Sequence, residues 1–70
     1  MNIYLLHKKS EVFNTFHDTQ SVLNFFNRTG RVRSYRIIIH IGDKARVIEN
    51  PAETMMELTK EMNQIVAAIK

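Results

Sequence analysis

Cysteine and tryptophan are absent from this chain, proline occurs once, and glycine occurs twice. Without cysteine there is no disulfide framework, no thiolate zinc site and no thiol nucleophile. The two glycines, Gly30 and Gly42, stand alone, so no glycine-rich phosphate loop can form. No apolar run approaches the ~18 residues that cross a bilayer. The opening Met1-Asn2-Ile3 has no basic segment leading into an apolar stretch, so no signal peptide is expected. Linkers, low-complexity segments and long charge runs are missing too. What is there is 70 residues, 44% hydrophobic, with net charge +3. That suits one domain with one efficient core. A single small α+β domain over residues 1–70 is expected, cytoplasmic and with no membrane contact.

The last twenty residues carry the clearest pattern. Asn50-Pro51-Ala52-Glu53 reads as a helix start, with Asn50 as cap, Pro51 in the first position and Glu53 reaching back. Met55, Leu58, Met62, Ile65 and Ile69 then recur at steps of three and four, the spacing of one helix face. Glu53, Glu57 and Glu61 lie opposite, and Met56 falls off the apolar arc. Upstream, Tyr35 to Ile41 is β-branched and aromatic, Gly42-Asp43 is a turn, and Ala45 to Ile48 returns, which predicts a hairpin. Alternation puts Tyr35, Ile37, Ile39 and Ile41 on the core side and Arg36, Ile38 and His40 on the other.

In the N-terminal half, Ile3 to Leu6 is a strand candidate. Val22, Leu23, Phe25 and Phe26 form the apolar face of a helix that Asp18 starts and Gly30 ends. Phe25 and Phe26 cannot both enter one core, because helix neighbours are ~100° apart. Residues 12–16 read as a second strand in preference to a long helix, since Asn14 and Thr15 are poor helix formers. The order is then ββαββα, with βαββα as the alternative: an antiparallel sheet with two helices on one face. The preferred order is a hairpin-plus-helix unit written twice, with Leu5-Leu6-His7 answering Ile38-Ile39-His40.

Charge is unevenly placed. Arg28, Arg31, Arg33, Arg36, Lys44 and Arg46 against Asp43 give residues 28–46 a net of +5. Glu49, Glu53, Glu57 and Glu61 against Lys60 give residues 49–64 a net of −3. Guanidinium forks suit phosphate or carboxylate, and Tyr35 between them could stack on a base. These seven residues, Asp43 excepted, are the candidate nucleic-acid-binding set. The competing view is a solvated face paired with the chain's own glutamates.

His7, His17 and His40 lack the i, i+4 spacing of a helical metal site and have no carboxylate pair beside them, so no metal is expected. His40 near Arg36 and Arg46 is the minimum kit of a metal-independent ribonuclease. However, the glycine-serine-histidine signature of small single-histidine ribonuclease toxins does not precede its strand. No catalytic residue and no cofactor are expected. The reading is a non-catalytic binding module with an arginine-rich hairpin, nucleic-acid-associated or regulatory, whose partner is nucleic acid or an acidic protein surface. The alternative is a protein-interaction module, a small inhibitor or homodimeric adaptor, that uses Ile38, Ile48 and His40 on the outer sheet face, and on either reading a homodimer is the expected assembly.

Overall fold

The computed structural model describes residues 1–69. Its elements run β1 (Asn2–His7), β2 (Phe13–Phe16), α1 (Thr19–Thr29), a 3-10 turn (Val32–Ser34), β3 (Tyr35–Ile41), β4 (Lys44–Ile48) and α2 (Met55–Ile69). The ββαββα order is the one preferred from the sequence. All pairings are antiparallel, in the spatial order β2-β1-β3-β4, so β1 and β3 are the central strands.

Each local signal has a visible cause. Asp18 caps α1: its carboxylate accepts from the Ser21 amide at 2.7 Å and from the Ser21 hydroxyl at 3.0 Å. Those two bonds, helped by the neighbouring His17 charge, hold the Asp18 carboxyl below its usual value. Gly30 ends α1 at φ +68°, a left-handed cap whose amide donates back to the Phe26 carbonyl at 2.7 Å.

The start of α2 differs from expectation. Residues 50–53 are not helical. Thr54 is the cap, and the Glu57 amide donates to its hydroxyl at 3.3 Å, in a Thr-x-x-Glu pattern. Tertiary bonds claim the earlier candidates. The Asn50 side chain accepts from Lys8 Nζ at 3.3 Å, the Pro51 carbonyl accepts from Arg33 Nε at 2.7 Å, and the Ala52 amide donates to Glu61 at 3.1 Å. Glu61 therefore turns inward and leaves the acidic row.

One face of the sheet is covered. Ile3, Leu5, Ile37, Ile39 and Ile48 meet Val22 and Phe26 of α1 and Leu58, Met62 and Ile69 of α2, with Val32 closing one end. Each such side chain contributes about 1.5–3 kcal/mol by leaving water. Ile65 packs at the margin of this core, as does Phe25, while Met56 is exposed.

Strand parity corrects two expectations. The two-residue turn pairs Ile41 with Lys44, and so Ile37 with Ile48 and Ile38 with Val47. Ile48 is therefore in the core at 7% exposure, and Val47 takes the outer place expected for it. His7 follows Leu5 to the helix side, where its ring meets Tyr35 at 5.1 Å. It is not the counterpart of His40, which faces outward. The repeat holds at the level of element order, with Ile3 and Leu5 answering Ile37 and Ile39.

Candidate interaction surfaces

The other face of the sheet has no layer over it. Alternation that sends Ile3 and Leu5 inward sends Tyr4 and Leu6 outward. Pairing then sets Phe13 beside Leu6, Ile38 beside Tyr4, and Val47 beside Ile38. These five side chains form an apolar band across all four strands. Phe13 is 58% and Val47 51% exposed, and the rings of Tyr4 and Phe13 meet edge to face at 6.0 Å. Between them lies a shallow depression lined by Tyr4, Leu6, Phe13 and Ile38.

Polar groups border the band on both sides, and most are already paired. On one side Arg36 Nε meets the Glu49 carboxylate at 2.7 Å. On the other, His17 Nδ1 lies 2.9 Å from the Asn2 side-chain oxygen. His40 stands between Asn2 and Ala45 in the register. An apolar centre inside a polar rim is the anatomy of a protein interface. Pairing within the rim also lowers the cost of desolvating it, since few polar groups lose water without a partner.

The expected arginine surface does not come together on the hairpin. Arg36 is on the bare face and paired with Glu49. Arg46 and Lys44 stand opposite Ile39 and Ile41, on the helix side of the edge strand, and Arg46 Nη1 donates to the Ala45 carbonyl. The same parity that buries Ile48 separates Arg46 from Arg36. Charges on an edge strand also blunt edge-to-edge pairing. Arg28 is in the last turn of α1 and lines a separate depression with Phe16, Ser21, Asn24 and Asn27. Tyr35 has no open ring face of the kind expected for stacking: its ring packs against His7, Phe25 and Phe26 at 5.1–5.7 Å.

Arg31 and Arg33 instead join residues from the other half of the chain. The β1–β2 turn is tied to the 3-10 segment, because the Lys8 amide donates to the Ser34 carbonyl at 2.9 Å. His7 stiffens that turn by accepting at Nδ1 from the Lys9 and Ser10 amides at 3.3 and 3.2 Å. One depression is thus lined by His7, Lys8, Lys9, Arg31, Arg33 and Ser34.

Sequence reasoning missed Tyr4, Leu6, Phe13 and Val47 on the bare face, although strand parity was signal enough for Tyr4 and Leu6. It also missed Lys8 and Lys9. No local signal marks them, because only the β1–β3 pairing of His7 with Tyr35 carries that turn to residue 34.

Comparison with protein-family models, with curated proteins and with solved structures finds no match for this chain. Among the described residues no helix is long and apolar enough to cross a membrane, and no group of three histidine or carboxylate side chains converges as metal ligands would. The two surfaces are therefore the ground for a functional reading.

Proposed function

We propose that this chain is a non-catalytic binding module that works through the bare face of its sheet, with a second copy of the chain as occupant. The observation that carries this is the band of Phe13, Leu6, Tyr4, Ile38 and Val47, left in water beside a rim of paired polar groups. Contiguous exposed apolar surface rimmed by polar residues is a mark of interaction sites. The face also suits itself. A two-fold axis lying along the band stacks band on band and turns the Arg36–Glu49 border of one copy toward the Asn2–His40 border of the other. Glu49 then approaches an imidazole, and Arg36 an amide oxygen. Isologous contacts of this sort close after one pairing.

The state of the arginines supports this reading over nucleic-acid binding on the same face. Arg36, the cation there, is neutralised by Glu49 and flanked by Leu6 and Ile38.

Sedimentation equilibrium over a wide concentration range tests the proposal. The expected result is a mass rising from monomer to dimer in the wild type and staying monomeric in Ile38→Lys, with unchanged circular dichroism. A monomer mass throughout for the wild type refutes self-association. A dimer that survives Ile38→Lys places the contact elsewhere.

A further inference from the structure

The corner where the β1–β2 turn meets the 3-10 segment is a second surface, separate from the sheet face. Four cations, Lys8, Lys9, Arg31 and Arg33, edge one depression with no acidic side chain in its lining. Two of them are anchored by neutral oxygens: Lys8 Nζ by the Asn50 amide and Arg33 Nε by the Pro51 carbonyl. Such bonds position a cation without cancelling its charge. Among the described residues the ion pairs are Arg36–Glu49 and Lys60–Glu57, and neither involves this corner. Like charges gathered so closely repel one another in the free chain, and an anion among them relieves that repulsion.

We propose that this corner binds the phosphate backbone of a nucleic-acid strand. Guanidinium forks and lysine point charges suit phosphate and carboxylate alike. The extent of the cationic border favours the repeated anions of a phosphodiester strand over a single carboxylate. A second, adjoining depression shares Arg31, Arg33 and Ser34, so the cations border a run longer than one anion. Glu53 lines that second depression and is the acid a passing strand would meet. The corner is open and presents no unoccupied aromatic face: the Tyr35 ring is packed and the His7 ring lies against it. Phosphate contacts without base contacts give binding that is indifferent to sequence and sensitive to salt.

The test is fluorescence anisotropy with short labelled single-stranded and double-stranded DNA and RNA, titrated with full-length protein. The probe variant is Lys9→Ala with Arg31→Ala, since neither side chain makes a hydrogen bond among the described residues. The control is Lys44→Ala with Arg46→Ala, which removes equal charge from the far edge. Wild type should bind with a dissociation constant below about 100 µM at low salt, and affinity should fall steeply between about 50 and 200 mM salt. The probe variant should lose about tenfold, and its log–log salt slope should drop by about 1.5–2, close to one per contact removed. The control should change by less than about threefold, and Glu53→Gln should bind more tightly than wild type. Equal losses in probe and control would reduce the effect to net charge and overturn the site. So would the absence of any complex, or tighter binding to a glutamate-rich peptide of the same charge, which would make the corner a docking point for an acidic protein. The sheet face has no part in this test, so either surface can fail alone.

Discussion

The two faces of this sheet are built from alternate residues of the same strands, and they differ in everything but backbone. Ile37 and Ile39 are sealed under two helices, while Ile38 between them stands in the open band. On β4, Ile48 is core and Val47 is half exposed. Of three neighbouring isoleucines, two therefore build the core and the third is left to the contact proposed for the outer face. Composition cannot separate these uses, but strand register can.

The largest effect that would break this comparison lies in β3. Ile39→Ala should cost about 2–5 kcal/mol, a large part of the stability of so small a domain, whereas Ile38→Ala should cost the monomer less than about 1. Chemical denaturation at low protein concentration measures both. Similar losses at the two positions would mean that the faces are not distinct.

A neighbouring pair sharpens the same contrast. Ile48→Ala should fall toward the lower end of the range for core truncations, about 2 kcal/mol, while Val47→Ala should stay within about 0.5. These variants also test the turn register, since a one-residue slip would exchange their fates.

These positions show how far the sequence was legible. The elements, their order, both ends of α1 and the inward row of β3 follow from spacing and from Asp18 and Gly30, all of which act locally. The inward position of Ile48 depends on whether the turn holds two residues or another number, and the sequence leaves that parity open. The cap of α2 was misplaced because Asn50 and Pro51 look like a helix start and become tertiary anchors, taken by Lys8 and Arg33. The basic corner was illegible for the same reason: its lysines and arginines are more than twenty residues apart in the chain.

Two smaller effects concern the helix starts. Thr54→Ala removes the cap at α2 and should cost about 1 kcal/mol, while Asn50→Ala should lack that helix-specific loss. Native-state hydrogen exchange in the first turn of α2 distinguishes them.

At α1 the effect depends on pH. Because hydrogen bonds from Ser21 hold the Asp18 carboxyl below its ordinary value of 3.8, its contribution is fully present above that value and is lost as pH falls through the lower, folded value. The melting-temperature gap between wild type and Asp18→Ala should therefore be steady near neutrality and close in acid. A gap that widens in acid would mean that the carboxylate is not the cap.

The central claim, that the bare face is the working surface, is tested most directly by backbone amide shifts followed through a dilution series. Tyr4, Leu6, Phe13, Ile38 and Val47 should move together on dilution, with one midpoint, while amides of α1 and α2 stay still. Shifts that are constant over the whole series, or that move on the helices and not on the band, would contradict it.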